Sequence, residues 1–200
     1  MVQQISLSHG FGDGQAESCE LTAEAVSNLL LGSPVDFYLA MNMDGIAALN
    51  DLAGGVTVTL EDDFSALDPA MTKGTTLTLH GEQAEIYVRS RRSVGVGTNE
   101  ARMARQEQYV ARLFALLDAR LKTDPDASGA LLDGLSAYLT CNMSRGRLVN
   151  AVWAAKDYAR MEPLRIAGEH RIGGDGFMQF YADEASLYEA VLKLFYEEAK

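Results

Sequence analysis

The stretch YVRSRRSVGVGTNEARMARQ, Tyr87–Gln106, holds five arginines (Arg89, Arg91, Arg92, Arg102 and Arg105) and one acidic residue, Glu100. The whole chain of 200 residues has a formal charge of −11, so this window runs against the rest of the molecule. Guanidinium groups suit phosphate because their planar forks meet two oxygens at once. Arg102, Arg105 and Gln106 stand at i, i+3 and i+4 and share one face if the segment is helical. Thr98 and Asn99 are good N-cap residue types, which would start that helix just ahead of them. A helix N-terminus offers free N–H groups and the positive end of the dipole, so cations destabilise it and anions stabilise it. Arginines placed there point to a bound anion held between dipole and guanidinium groups. Arg89 and Arg91 could face the same space, and Gly95 and Gly97 would let the intervening loop fold back. This charge and geometry suit a pyrophosphate or a phosphodiester. The competing account is a set of solvated arginines paired with the chain's own carboxylates. The scarcity of acids over 88–99 counts against it, because such pairs usually interleave their signs.

Periodicity and punctuation predict the elements that carry these residues. Leu21, Ala25, Val26, Leu29 and Leu30 have helical spacing over 21–32, closed by Gly32. A strand over 35–41, a short helix over 44–55 ended by Gly54 and Gly55, and a β-branched strand over 55–60 follow. Strand, helix and strand with tight links predict a βαβ unit and an α/β sheet. Residues 61–74 form a polar loop, and 75–79 a short strand. His80 would cap a helix over 81–92, with Ile86 and Tyr87 packed inward. The helix over about 99–122 carries an apolar stripe of Met103, Val110, Leu113, Phe114, Leu117 and Leu121. Helices near 128–139 and 144–159 have Ser128 and Ser144 as caps. A strand over 163–170, a turn at 173–176 and a strand over 177–182 lead to a last helix, capped by Asp183 and ending near 197. All of this fits one domain over 1–200.

Composition bounds the function. Hydrophobic residues make up 48% and charged residues 22%, as in an ordinary globular chain. The sequence pI near 4.7 argues against broad binding to nucleic acid or anionic lipid, and no nucleic-acid-reading motif is present. No uncharged apolar run is long enough to span a membrane, and the N-terminus lacks the pattern of a signal peptide. Cys19 and Cys141 could close one long disulfide loop or remain two reduced thiols. His9, His80 and His170 lie too far apart in sequence to suggest a zinc site. His9, beside glycines, reads as a turn residue or as a contact to phosphate or acceptor. Glu61, Asp62 and Asp63 could hold a cation or form a solvated acidic loop. Asp13 reads as a turn residue. Trp153, with Leu148, Val149 and Val152, belongs to a core or to the wall of a lipid pocket.

The segments LTLHGEQAEIYVRSRR and NEARMARQEQY together resemble the signature of the LytR-CpsA-Psr family, roughly L-x-G-E-Q-A-L-x-Y-x-R-x-R followed by G-D-x-x-R-x-x-R-Q. MDGIAALNDLAGGVTVTLEDDF is similar to that family's LVDALGGVxVxVPxD segment, and SLSHGFGDG to its K-[IL]-N-x-A-[FY]-x-x-G segment. DGFMQFYADEASLYEAVLKLFY is similar to its closing strand and helix, so the resemblance covers most of residues 5–197.

The resemblance implies an α/β fold, a central mixed β-sheet flanked by helices around an apolar pocket for a lipid tail. It implies an enzyme domain on the extracytoplasmic face of the bacterial cell envelope, membrane-anchored in the full-length protein. The implied reaction attaches polyprenyl-pyrophosphate-linked anionic glycopolymers, of teichoic acid or capsular polysaccharide type, to peptidoglycan. Arg89, Arg91, Arg102 and Gln106 match the catalytic and pyrophosphate-binding positions. Arg105 matches the second arginine of R-x-x-R-Q and is either a further pyrophosphate ligand or structural.

The family's Mg²⁺ is expected to bridge phosphate oxygens, but the aspartate that usually holds it, and the R-D loop after it, are not found in this chain. The family's lysine falls near Ser6, and Asn99 stands where the family often has aspartate. These departures read as an N-terminally truncated domain, about its C-terminal two-thirds. They also open a second reading, a non-catalytic module that binds a polyprenyl phosphate or an anionic glycan.

Overall fold

The computed structural model describes residues 5–159, 161–174, 176 and 178–196. A 3-10 helix, Ile5–Phe11, precedes α1 (Ala16–Leu29). Then come β1 (Leu39–Met41), α2 (Gly45–Leu52), β2 (Thr57–Thr59), β3 (Thr76–Thr78), α3 (Glu82–Arg89), α4 (Asn99–Thr123) and α5 (Ala127–Leu135). A 3-10 turn, Ser136–Tyr138, leads into β4 (Leu139–Cys141), followed by α6 (Arg145–Ala155), β5 (Gly168–Ile172), β6 (Met178–Ala182) and α7 (Glu184–Phe195). The class is α/β, with short strands that pair two by two. Residues divide into two compact units. One comprises Met1–Leu39, Thr140–Met143 and Ala159–Lys200, the other Ala40–Leu139 and Ser144–Tyr158.

The second unit holds the arginine window. Its core gathers Val56, Val58, Leu60, Phe64, Met71, Leu79, Ala84 and Tyr87, each at most 2% exposed. The expected βαβ unit is not what forms here, because β2 pairs antiparallel with β3 and not with β1. The loop over 61–74 accounts for this. Leu60 N–H donates to Thr75 O, Phe64 N–H to Met71 O and Gly74 N–H to Leu60 O, so the chain turns straight back on itself. The loop is also less polar in effect than in composition, since Phe64 and Met71 are its buried anchors. Gly54 and Gly55 close α2 at φ of 95° and 87°, as expected for a left-handed helix exit.

Three of the expected caps form. Thr98 Oγ1 accepts from Ala101 N–H at 3.2 Å, Ser144 Oγ from Arg147 N–H at 3.4 Å and Asp183 Oδ1 from Ser186 N–H at 2.8 Å. Two do not. Gly81, not His80, occupies the N-cap of α3, and its N–H donates to the Asp51 carboxylate at 3.0 Å. Ser128 is buried inside α5, whose N-cap is Asp126. The stripe expected on α4 holds in part, since Leu113 and Leu121 are buried and Leu117 packs against the core, whereas Met103, Val110 and Phe114 are exposed. Ahead of Leu113 the buried face runs through Arg105 and Tyr109 instead.

In the first unit, α1 begins at Ala16, five residues ahead of the expected start. The cause is Asp13, whose Oδ1 accepts from Gln15 N–H at 2.7 Å and Ser18 N–H at 3.4 Å. Its role as a turn residue is thus to open the helix. β5 and β6 form an antiparallel hairpin from Gly168↔Ala182 to Ile172↔Met178, later in the chain than the strand expected over 163–170. The strand start at 177 and the helix end near 197 lie outside the described residues. Cys19, which is buried, and Cys141 are both free thiols, and burial pushes the Cys19 thiol up. No described helix is long and apolar enough to cross a membrane.

Candidate functional site

The C-terminal turn of α3 packs against the first turns of α4 through two side chains of the arginine window. Arg105 is buried, and three of its donor groups are engaged. Nη1 donates to Asp62 Oδ2 at 3.0 Å, Nε to Tyr87 O at 3.3 Å and Nη2 to Ser90 O. Its guanidinium also lies 5.4 Å from the centre of the Phe64 ring, which is itself 5.7 Å from that of Tyr87. Gln106 Nε2 donates to Val88 O at 2.9 Å. Between them these groups satisfy the backbone where α3 ends, carbonyls that no further helical turn would reach. These bonds are those of a structural arginine, one of the two roles open to Arg105.

The other arginines are spent differently. Arg102, one turn into α4, donates from Nη2 to Asn99 Oδ1 at 2.7 Å. Its Nε is buried and has no hydrogen-bond partner among the described residues. Arg89 is about half exposed and is paired with Glu85 one helical turn earlier. No hydrogen bond or ion pair is formed by the Arg91 or Arg92 side chains among the described residues. The connecting loop folds back as expected, with Gly95 and Gly97 at φ of 56° and 67°. Gly95 is required twice over, because a Cβ there would also collide with the Asp62 carboxylate.

The expected residues thus sort into two sets. Arg105 and Gln106 hold α3 to α4, while Arg89, Arg91 and Arg102 keep donors for something else. Arg102 lies in the first turn of a helix of 25 residues, whose dipole favours an anion at that end. Two acidic residues that sequence reasoning did not place here take part. Asp62 is separated from Arg105 by 43 positions, and no local pattern marks their pairing. Glu85 precedes Arg89 by one turn, a spacing visible in the sequence.

Other singled-out residues do not join the window. Asp63 Oδ1 accepts from Ser65 N–H at 3.0 Å, a local turn that holds its carboxyl below the usual range. Asp51 lies 3.6 Å from His80, and the Gly81 N–H bond holds its carboxyl low as well. His9 is exposed on the first 3-10 helix. Trp153 is half-buried with the Lys156 ammonium 4.7 Å from its ring centre. No group of three His, Cys, Asp or Glu suited to a metal occurs among the described residues. Of the carboxylates at the window, Asp62 and Glu85 are already tied to arginines, which leaves Glu100 alone. The described residues do not fit a Mg²⁺ site.

Comparison with known proteins places the chain among relatives and similar folds. The polyisoprenyl-teichoic acid–peptidoglycan teichoic acid transferase TagU of Bacillus cereus strain AH820 is 23% identical over 189 residues, 94% of this chain and 60% of that protein. TagU of Halalkalibacterium halodurans is 28% identical over 168 residues, 82% of this chain and 52% of that protein. The chain therefore spans about 60% or less of these relatives. Among solved structures, protein gbs0355 of Streptococcus agalactiae superposes with a TM-score of 0.75 at 21% identity, over 99% of this chain and 68% of that one. TagT bound to LI-WTA superposes with a TM-score of 0.71 at 20% identity, over 96% and 69%. The LytR_cpsA_psr family model matches residues 5–194, and the chain belongs to that family.

Proposed function

We propose that this chain is the pyrophosphate-binding part of a cell-envelope phosphotransferase. Its substrate would be an anionic glycopolymer carried on a polyprenyl pyrophosphate, and its acceptor peptidoglycan, on the extracytoplasmic face of the envelope. One observation carries the reading. The arginine window is divided into groups consumed by packing and groups left available, and the available set includes a buried Arg102 Nε with no partner. A buried unmatched donor is costly unless a ligand satisfies it.

In the proposed transfer an acceptor hydroxyl attacks the phosphorus that bears the glycopolymer. The bond from that phosphorus to the bridging oxygen breaks, polyprenyl phosphate leaves with the electron pair, and the hydroxyl proton passes to the leaving phosphate or to water. Negative charge grows on the bridging oxygen and on the leaving phosphate. Arg89, Arg91 and Arg102 hold the two phosphates in place and neutralise that charge. Arg105 and Gln106 keep the α3 exit fixed against α4. Two of the three carboxylates at the window, Asp62 and Glu85, are engaged by arginine, while Glu100 in the first turn of α4 is not. The engagement of those two supports the second reading, a module that binds the carrier without turning it over.

The test is binding of a polyprenyl pyrophosphate, with and without Mg²⁺, to the protein and to an Arg89→Ala/Arg102→Ala variant. Micromolar binding that the variant loses is the expected result. No binding by the well-folded protein would overturn the assignment. Release of polyprenyl phosphate on adding peptidoglycan separates the transferase from the binding module.

A further inference from the structure

Among the described residues, the arginines of the window that take a side-chain partner take partners of two kinds. Arg105 pairs with the Asp62 carboxylate and Arg89 with the Glu85 carboxylate. Arg102 instead takes an amide, through the 2.7 Å bond from Nη2 to Asn99 Oδ1. The amide is held from its other end as well, because Asn99 Nδ2 donates to Met103 Sδ at 3.3 Å. Turned over, it would aim its donors at the guanidinium and its oxygen at the sulfur, so one orientation alone serves both neighbours. Thr98 already caps α4 by accepting from Ala101 N–H, and the Asn99 side chain is not spent on the helix end. Glu100, the acidic residue of the first turn, stands two positions from Arg102, a spacing that puts the two side chains on different faces. Arg102 forms no ion pair among the described residues. Its guanidinium is oriented without being neutralised.

We propose that Asn99 is a positioning residue of the anion site: its neutral oxygen fixes the Arg102 fork and leaves the full positive charge for a phosphate oxygen. The inference rests on the pyrophosphate reading of the window. An aspartate would hold the fork at least as firmly, since a bond to an ionised acceptor is the stronger one. A phosphate arriving there would then meet a guanidinium already paired, with a like charge beside it. An alanine would leave the charge free but the fork unheld, and binding would have to order a long side chain. The amide supplies orientation and free charge together.

The experiment is titration calorimetry with inorganic pyrophosphate, in buffer stripped of divalent cations, on the unaltered protein, Asn99→Asp, Asn99→Ala and Ala101→Asp. Urea midpoints are measured on the same four proteins. Asn99→Asp is expected to weaken pyrophosphate about tenfold, the lower end of what a hydrogen bond to a charged group is worth. Ala101→Asp adds the same charge to the same turn at a position that does not face Arg102, and should weaken binding about threefold at most. Asn99→Ala should weaken it about threefold, the effect of ordering one long side chain. In Asn99→Asp stability should not follow affinity. A carboxylate in the first turn suits the helix dipole and pairs with Arg102, so the urea midpoint holds or rises.

An Asn99→Asp affinity equal to that of the unaltered protein, or to that of Ala101→Asp, would overturn the proposal. So would Asn99→Ala binding at full strength, or a loss of affinity in Asn99→Asp matched by a drop in its urea midpoint, the mark of a residue that only supports the helix. If the unaltered protein binds pyrophosphate in any of these cases, the pyrophosphate reading stands and only the role of Asn99 falls. If the well-folded unaltered protein does not bind, the pyrophosphate reading falls and this inference falls with it.

Discussion

Asn50 is completely buried, and its amide is satisfied on every side. Nδ2 donates to Leu79 O at 2.7 Å and to Asp51 Oδ1 at 3.0 Å, while Oδ1 accepts from Val56 N–H at 3.1 Å and the Tyr109 hydroxyl at 3.2 Å. Both donors and both lone pairs are used, so the side chain joins α2, β2, the end of β3 and α4. Nothing in the sequence marked Asn50 or Tyr109, because an asparagine in a short helix looks like any surface residue until the fold closes over it. Burial, with a smaller push from the Asp51 charge, raises the Tyr109 hydroxyl from 10.0 to about 12. A raised tyrosine stabilises the fold while it is neutral. The contribution is complete below pH 10.0 and is lost as pH climbs through about 12. Tyr109→Phe should cost about 1 kcal/mol near neutral pH, the worth of one hydrogen bond. The unaltered protein should then lose about 2–3 kcal/mol across the alkaline window that the variant keeps. Urea unfolding of both proteins on each side of that window tests this, and a gap between them that does not narrow with pH would sink it.

At the scale of elements, α4 shows what periodicity could and could not tell. Its cap at Thr98 and its length were legible, because both depend on local residue types. Its inward face was legible only from Leu113 onward, because the buried row at i, i+4 and i+8 begins with an arginine. A search for apolar spacing passes over Arg105 and slides the stripe onto Met103 and Val110, which face solvent. The site was legible to the same extent. The signature picked out Arg89, Arg91, Arg102, Arg105 and Gln106, but only the structure separates the staple from the available cations. Arg105→Ala would leave Asp62 without its cation, and the Tyr87 and Ser90 carbonyls without their donor. Removing one partner of a largely buried pair costs about 3–5 kcal/mol. Arg105→Lys keeps the charge but cannot span three acceptors, and should recover only part of that loss. Urea midpoints for both variants give the answer. A loss under about 1 kcal/mol in Arg105→Ala would mean that packing alone joins α3 to α4.

Across the whole molecule, the α/β class and most helices could be read from the sequence, whereas strand pairing could not. Strands of three residues carry too little alternation to fix a partner, and β4 lies between two helices with no turn signal of its own. The two antiparallel ladders also sit in very different surroundings. Around β2 and β3, Val56 N–H goes to buried Asn50, Leu79 N–H to Val56 O and Leu60 N–H to Thr75 O, among side chains that are essentially inaccessible. In the hairpin of the other unit every residue of β5 is exposed, and Ile172, Met178 and Phe180 lie at the surface. Opening the hairpin uncovers little apolar area that water does not already touch, while opening β2 and β3 breaks the core. Amides of Val56, Leu60 and Leu79 should therefore exchange with solvent about 100-fold or more slowly than those of β5, a difference of about 3 kcal/mol in opening free energy. Native-state hydrogen exchange followed by NMR measures both sets in one sample. Equal protection in the two ladders would mean that they open together, in one cooperative event that ties the exposed hairpin to the core.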